Sequence, residues 1–223
     1  AEGIKWAVDN GADIINLSFV GSGKSLPLEK SIKQASQAGI LVVAAAGNEV
    51  SSGVNMDDQP AYPVCHDGPN GENWVLGVAS IDGQNRLASF SNYGGDCIDL
   101  TAPGVALFST AFYQSDNYQF DKAYKSGWTG TSVSAPQISG TLALIKSVQP
   151  NLSTRQIKDL IINNATDVDR YNPNYKGLIG HGKLNVASAL DKSLLEKPQQ
   201  NFKKSKIIST PAINGGPHIR IFN

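Results

Sequence analysis

A serine at the start of a helix-forming segment is the first candidate for chemistry. Residues 130–136 read Gly-Thr-Ser-Val-Ser-Ala-Pro, and an amphipathic pattern follows them. The N-terminus of a helix offers free N–H groups and the positive end of its dipole, which favour a developing alkoxide or oxyanion. Ser132 is therefore a candidate nucleophile. The segment does not match a Gly-x-Ser-x-Gly turn, because Ser134 occupies the second glycine position, and taken alone Ser132 is equally well explained as a helix cap.

An asparagine follows the most apolar run of the chain. Residues 43–48 read Val-Ala-Ala-Ala-Gly-Asn, so Asn48 stands just after a predicted buried strand. Ligands of open parallel sheets bind at the carboxyl ends of the strands. An amide side chain at that edge can donate a hydrogen bond to the oxyanion of a tetrahedral intermediate.

Residues 18–25 offer a competing hypothesis, a phosphate-binding loop. Their sequence, Ser-Phe-Val-Gly-Ser-Gly-Lys-Ser, lies between a predicted strand and a predicted helix, where backbone N–H groups and a lysine can cradle phosphates. Ser18 replaces the first glycine of that motif, and Pro27 removes an N–H group where the helix should already donate one. A P-loop-like nucleotide triphosphatase is therefore a remote alternative.

Alternating helices and apolar strands must position these residues. Strands are predicted over 13–18, 40–46 and 74–81, with shorter ones at 98–100 and 105–109 that continue the sheet. Helices are predicted before residue 11, between residues 27 and 39, from about residue 131 to about 150, and after Ser153, whose partner Gln156 completes a capping box. Strands that are apolar throughout imply a parallel sheet covered on both faces. We predict an α/β fold with a three-layer, mostly parallel twisted sheet and helices on both faces.

Composition narrows the function classes. The 223 residues hold 19 basic and 19 acidic side chains, so the net charge is zero and no global field attracts nucleic acid or an anionic membrane. The longest apolar run, residues 40–46, is far shorter than the roughly 18 residues that suggest a membrane span. We therefore expect neither a nucleic-acid partner nor a membrane span.

Two cysteines, Cys65 and Cys97, lie 32 residues apart. Their spacing fits neither a Cys-x-x-Cys redox motif nor a zinc site. The sequence leaves open whether they form a disulfide or pack as two small hydrophobic side chains.

Taken together, the segments resemble those of the subtilisin-like serine proteases from about residue 1 to residue 190. The two main anchors are residues 130–136, similar to the family's nucleophile segment, and residues 44–49, similar to its oxyanion segment. Residues 13–18, 90–94 with 102–104, and 180–185 add further support in the same order. The resemblance implies that residues 1–195 are the carboxyl-terminal portion of such a catalytic domain, N-terminally incomplete, and that residues 196–223 are a tail or linker.

The resemblance also assigns roles to particular residues. Ser132 would be the nucleophile, with Asn48 and the Ser132 N–H as oxyanion donors. Residues 18–20 would act as an edge strand that pairs with an extended substrate, and residues 44–47 would form one wall of the primary specificity pocket. The implied substrate-binding residues are Ser18, Phe19, Val20, Ala44, Ala45, Ala46, Gly47 and Thr131.

Two departures from the family pattern concern specificity. Val20 stands where the family usually has glycine, which should narrow the cleft or shift the substrate strand. Val133 and Ser134 replace the commoner methionine and alanine after the nucleophile. The carboxylates of Glu49, Asp57 and Asp58 lead to a weak hypothesis that the pocket favours a basic side chain.

A serine nucleophile also needs a general base and a carboxylate that orients this base. Neither the Asp-x-Gly segment nor the His-Gly-Thr-His segment of the family occurs in these residues. We expect His66, His181 and His218 to be surface or turn residues. The chain alone should therefore be inactive, with the aspartate and histidine supplied by a segment that this chain lacks.

The resulting hypothesis is a serine endopeptidase that acts on polypeptides, with a catalytically inactive pseudoprotease or peptide-binding module as the alternative. The resemblance implies no cofactor for the chemistry. A structural calcium ion could be held by Asp57, Asp58, Asp67 and Asn70, although no motif specifies a metal site. Because the family is mostly exported, the resemblance also implies secretion.

Overall fold

The computed structural model describes residues 1–49, 52–115 and 121–195 and the backbone of 221–222, without the side chain of residue 70. Its helices are α1 (Glu2–Asp9), α2 (Leu26–Gln37), α3 (Thr131–Val148), α4 (Thr154–Asn163) and α5 (Val186–Ser193). Its strands are β1 (Ile14–Leu17), β2 (Leu41–Ala45), β3 (Val75–Ile81), β4 (Leu100–Pro103), β5 (Leu107–Thr110), β6 (Tyr124–Trp128) and β7 (Ile221–Phe222). Short 3₁₀ turns occupy Pro69–Gly71, Asp169–Tyr171 and Pro173–Tyr175.

A parallel sheet organises the molecule. Its strand order is β4-β3-β2-β1-β7, and every neighbouring pair is parallel. Leu17 lies opposite Ala44, and Ala44 lies opposite Gly77. Because parallel strands end at the same edge, the residues that follow β1 and β2 are brought together there.

Helices cover both faces of this sheet, which confirms the predicted three-layer fold. Ile15 and Val42 pack with side chains of α1 and α2. Their neighbours Ile14 and Val43 face the other way and pack with α3, α4 and α5. Successive residues of a strand point to opposite faces, so a strand buried on both sides must be apolar throughout. Within the described part of the chain, none of the helices has the length and apolar character that a membrane span would need.

The prediction that residues 105–109 continue the main sheet is wrong. β5 instead pairs antiparallel with β6 in a separate two-stranded sheet, and the sequence did not predict β6. Most residues of both strands are exposed, so they lack the buried apolar run that identifies a strand of the main sheet. The strand predicted at 98–100 begins only at Leu100.

The predicted start of α4 is confirmed. The Ser153 Oγ accepts a hydrogen bond from the Gln156 N–H at 3.3 Å, and the Gln156 Oε1 accepts one from the Ser153 N–H at 3.0 Å. Leu152 and Ile157 are both buried in the cluster under α3. The predicted tail, 196–223, lies outside the described residues except for the backbone of β7, so its boundary stays a prediction.

The two cysteines form a disulfide, the pairing that the sequence left open. It joins the loop after β2 to the segment that enters β4. Gly77 lies directly against this segment, because a Cβ on Gly77 would come within 1.8 Å of the Cys97 carbonyl oxygen. Only glycine therefore fits at this point of β3.

His66 differs from the expectation that it is a surface or turn residue. It is 1% exposed, and its ring lies 4.5 Å from that of Tyr62. Neither ring nitrogen has a hydrogen-bond partner among the described residues. Burial lowers the pKa of His66, because the charged imidazolium loses its hydration there. His181 is exposed, as expected, and His218 lies outside the described residues.

A partly buried polar cluster joins α4 to the edge of the sheet. The Asp99 carboxylate accepts hydrogen bonds from the Asn73 amide at 2.5 Å and from the Gly77 N–H at 2.7 Å. The Lys158 ammonium donates to the Asn73 carbonyl oxygen at 2.6 Å. Burial is the main cause that raises the pKa of Asp99 to about 7, and the charge of Asp67 adds to it. Asp99 is thus protonated in the folded protein at mildly acidic pH.

This protonation predicts a pH-dependent contribution to stability. Between about pH 4 and pH 7 the folded protein holds a proton on Asp99 that the unfolded chain releases, so this group adds up to ~1.4 kcal/mol of stability for each pH unit of acidification. We expect the unfolding free energy of the wild type to fall relative to that of Asp99→Asn as the pH rises from 5 to 8, because only the wild type loses this proton; urea denaturation measures both values.

Asp9→Asn, at an exposed position of α1, is the control for removing one carboxylate. His66 is present in both the wild type and Asp99→Asn, so comparing these two proteins removes its effect. The lowered pKa of His66 makes its own contribution to stability rise with pH, opposite to that of Asp99. A difference between wild type and Asp99→Asn that is equal at pH 5 and pH 8 would show that Asp99 is ionised throughout.

Candidate active site

Ser132 is the second residue of α3 and is half-buried at the carboxyl edge of the sheet. The turn before it is fixed by Gly130, whose φ of 141° is a conformation that favours glycine and whose N–H donates to the Gly104 carbonyl oxygen at 2.9 Å. The first N–H groups of a helix have no carbonyl partner within it. The Ser132 hydroxyl and its own N–H therefore lie together at the positive end of α3.

Thr131 fixes the side chain of Asn48. The Asn48 Oδ1 accepts hydrogen bonds from the Thr131 N–H at 2.8 Å and from the Thr131 hydroxyl at 3.1 Å. The Thr131 Oγ1 in turn accepts one from the Gly47 N–H at 3.0 Å. Since the carbonyl end of the Asn48 amide is held by α3, its Nδ2 is the end that remains to donate.

The two candidate groups are neighbours at Gly130. The position that a Cβ on Gly130 would take lies 3.2 Å from the Asn48 Nδ2 and 3.2 Å from the Ser132 Oγ. A side chain at residue 130 would therefore crowd both groups. Glycine at this position leaves the hydroxyl of Ser132 and the amide of Asn48 side by side, as a nucleophile and an oxyanion donor would need to be.

Ser134 is excluded as the nucleophile by its surroundings. It is completely buried, and its hydroxyl lies 2.8 Å from the Ser80 hydroxyl and can donate to the carbonyl oxygens of Ala102 and Pro103. These contacts tie α3 to the ends of β3 and β4. Ser134 therefore positions the helix, and Ser132 is left to face the open site.

A second chain of hydrogen bonds ties Ser132 to the end of β1. The Ser139 hydroxyl donates to the Asn16 Oδ1 at 2.9 Å, the Asn16 Nδ2 donates to the Ser18 Oγ at 2.8 Å, and the Ser18 hydroxyl donates to the Ser132 carbonyl oxygen at 2.9 Å. Sequence reasoning missed Asn16 and Ser139. The signal for Asn16 was present, since a buried polar residue in an apolar strand needs a partner.

The predicted substrate-binding segment, residues 18–20, is exposed beside the nucleophile. Phe19 is 55% and Val20 is 39% exposed. The segment is not itself a strand, and within the described residues Phe19 and Val20 make no backbone hydrogen bonds to other backbone groups. Their N–H and carbonyl groups are thus available to an extended ligand.

Four of the predicted substrate-binding residues have buried side chains, so their contact with a substrate stays a prediction. Ala44, Ala45 and Ala46 are at most 2% exposed, because their side chains fill the core on the two faces of β2. Thr131 is 1% exposed and is occupied by its hydrogen bonds to Gly47 and Asn48. These residues hold the site in shape, and their side chains present little surface to a ligand.

A cavity of about 510 Å³ opens next to residues 18–20. Its lining includes Glu49 but neither Asp57 nor Asp58, which weakens the hypothesis of a pocket with three carboxylates. Asp57 instead accepts hydrogen bonds from the Gly95 and Asp96 N–H groups. The lining residues are Val20, Gly21, Ser22, Glu49, Val54, Gln59, Pro60, Ala61 and Asn92.

Neither of the two histidines in the described ranges hydrogen-bonds to Ser132.

The same ranges hold no group of three or more acidic, histidine or cysteine side chains that could bind a metal ion. The calcium site stays a prediction. The Asp67 carboxylate, a predicted ligand, already accepts hydrogen bonds from the Trp74 and Val75 N–H groups.

Comparison with known proteins places this site in a family. The model of the subtilase family matches residues 1–182. Subtilisin DY of Bacillus licheniformis is 37% identical over 188 residues, which are 84% of this chain and 60% of that protein. The thermostable alkaline protease of Halalkalibacterium halodurans is 36% identical over 183 residues, 82% of this chain and 45% of that protein. The chain thus spans less than two thirds of the length of these relatives.

Solved structures that are similar to this chain agree with the family match. The prenylagaramide maturation protease PagA superposes with a TM-score of 0.69 at 25% identity, over 88% of this chain and 67% of that one. Fervidolysin from Fervidobacterium pennivorans, a keratinolytic enzyme related to subtilisin, gives a TM-score of 0.66 at 28% identity, over 89% of this chain and 29% of that one. From the family match and these relatives, the chain belongs to the subtilase family.

Proposed function

We propose that this chain carries the nucleophile and the oxyanion hole of a serine endopeptidase. The observation that carries this proposal is that the Ser132 Oγ and the Asn48 Nδ2 are neighbours, both 3.2 Å from the position that a Cβ on Gly130 would take. A peptide carbonyl bound beside these two groups would meet a nucleophile and a hydrogen-bond donor whose amide is held by Thr131. Membership of the subtilase family supports the same function.

The reaction would follow from this geometry. The Ser132 Oγ attacks the carbonyl carbon while a base takes the hydroxyl proton, and the carbonyl oxygen becomes an oxyanion that accepts hydrogen bonds from the Asn48 Nδ2 and the Ser132 N–H. The carbon–nitrogen bond then breaks, and the protonated base gives its proton to the leaving amine. Water hydrolyses the resulting acyl-enzyme, which restores the serine.

The base and its carboxylate are proposed to come from a segment outside these 223 residues. The surface of α3 supports this idea, because Pro136, Gly140, Leu144 and Val148 recur every four residues and are all exposed. Such a row forms one face of a helix. We call it the α3 face. It is a suitable surface for an upstream segment that carries the histidine to Ser132.

The substrate would be an extended polypeptide that pairs with the free backbone of residues 18–20. Secretion is part of the proposal, supported by the disulfide, a bond that persists in oxidising compartments. An inactive pseudoprotease is the alternative, because it needs no base. Nucleotide binding finds no support, since Lys24 pairs with Glu29 at 3.2 Å.

Labelling with a fluorophosphonate probe tests the nucleophile and the missing base together. We expect the chain alone to label about 10³-fold more slowly than a longer protein in which an upstream segment supplies the aspartate and histidine, because the hydroxyl needs a base. Ser132→Ala should abolish labelling of the longer protein, whereas Ser36→Ala, at a half-buried serine of α2, should not.

Equal labelling of the two proteins would show that the base lies within this chain. A longer protein that does not label at all would favour the pseudoprotease.

Removing the proposed oxyanion donor should affect the chemical step. In the longer protein, Asn48→Ala is expected to lower kcat about 10²–10³-fold with little change in KM, because the lost hydrogen bond forms only in the transition state. Asn163→Ala, at an exposed position of α4, is the control and should leave kcat within about twofold of the wild type. A loss confined to KM would place Asn48 in ground-state binding instead.

Blocking the α3 face should uncouple the two parts of the protein. A Cβ on Gly140 would have no neighbour within 4 Å, so the chain itself can accept Gly140→Arg. We expect this variant to reduce labelling of the longer protein to the rate of the chain alone, with the thermal unfolding of the chain unchanged. Asn163→Arg is the matched control, and wild-type labelling by Gly140→Arg would exclude this face as the docking surface.

A further inference from the structure

Val20 packs against Gly47 in the segments that lead to the nucleophile and the proposed oxyanion donor. Its Cγ1 is 2.9 Å and its Cγ2 is 3.4 Å from the position that a Cβ on Gly47 would take. The Asn92 Nδ2 lies 2.7 Å from the same position. Gly47 has a φ of 100°, so its lack of a side chain suits both its backbone and its neighbours. The side chain of Val20 therefore touches the backbone that follows β2.

This contact stands at the boundary between the nucleophile and the cavity. On the β1 side, Ser18 holds the Ser132 carbonyl oxygen and Val20 follows two residues later. On the β2 side, Gly47 is bonded to Thr131 and precedes Asn48. Val20 also lines the cavity of about 510 Å³. Val20 thus joins the segment that is bonded to Ser132 to the lining of the cavity, and its contact with Gly47 narrows the space between these two segments.

We propose that Val20 limits the substrate residue whose carbonyl group Ser132 attacks, the P1 residue, to small side chains such as alanine. This inference rests on the proposed peptidase function. The restriction lies at the contact between Val20 and Gly47, which we call the mouth of the cavity. The cavity of about 510 Å³ itself is large enough for any side chain.

Neither Val20 nor Gly47 can easily move aside to widen the mouth of the cavity. Valine is branched at Cβ and has few accessible χ1 rotamers, so it cannot swing aside as a longer unbranched side chain can. Gly47 is fixed by the hydrogen bond to Thr131 and by the Gly47 carbonyl oxygen, which accepts one from the Asn92 N–H at 3.1 Å. Passage of a phenylalanine or leucine side chain would need the backbone of one side to move.

Glu49 suggests the competing preference, for lysine or arginine. It lines the same cavity, but it is exposed and therefore hydrated. The attraction of an exposed carboxylate for a cation is weak in water. Steric exclusion at Val20 should therefore decide the preference.

Tetrapeptide aldehydes that differ only in the P1 side chain test this proposal. The Ser132 Oγ adds to the aldehyde carbon, and the hydroxyl proton ends on the hemiacetal oxygen, so binding reports the pocket without turnover. The longer protein with its aspartate and histidine is titrated with alanine, leucine, phenylalanine and arginine aldehydes. We expect the alanine aldehyde to bind at least about tenfold more tightly than the phenylalanine aldehyde, since about 1.4 kcal/mol of steric cost gives that ratio.

Val20→Gly should open the mouth. It is expected to tighten binding of the phenylalanine aldehyde at least about tenfold relative to binding of the alanine aldehyde. Val186→Gly, at a valine of equal exposure on α5, should leave this ratio unchanged. Equal binding of alanine and phenylalanine aldehydes by the wild type, or tightest binding of the arginine aldehyde, would overturn the inference alone. Failure of every aldehyde to bind would overturn the proposed function as well.

Discussion

Two hydrogen bonds between the Asn48 amide and Thr131 hold the candidate site together. They join the loop after β2 to the first turn of α3 and hold the carbonyl end of the amide, so that the Nδ2 is the end that can donate beside Ser132. Rotation of that amide would present an acceptor, which repels an oxyanion. The buried ends of the sheet and the contacts of Ser134 keep the two elements at this separation, so the chemistry depends on core packing some distance from Ser132.

The sequence predicts the parts of the fold that are buried on both sides. β1, β2 and β3 are continuous apolar runs, and Ser153 with Gln156 forms a local capping signal. β5 and β6 escape prediction because most of their residues are exposed and β6 contains Gly127. The burial of His66 also escapes prediction, since the groups near it, such as the ring of Tyr62 and the charges of Lys24 and Glu29, are brought together only by the fold.

The site residues divide in a similar way. Ser132 and Asn48 are recognised from short motifs, because a nucleophile at a helix start and an amide at a strand end have local sequence signals. The roles of Asn16, Ser139 and Thr131 depend on partners up to 123 residues away. Sequence patterns do not show which polar groups will meet across a fold. The burial of Thr131 and its hydrogen bonds to Gly47 and Asn48 therefore became visible only in the structure.

The α3 face has a consequence for the behaviour of the chain in solution. Leucine and valine side chains that are 42% and 46% exposed at Leu144 and Val148 lie on the same molecule as the exposed rings of Phe108, Tyr124 and Trp128. Apolar surface of this kind is removed from water by any available partner. At high concentration a second copy of the chain is such a partner, so the isolated chain will be prone to self-association, and its colloidal behaviour will report whether these surfaces are covered.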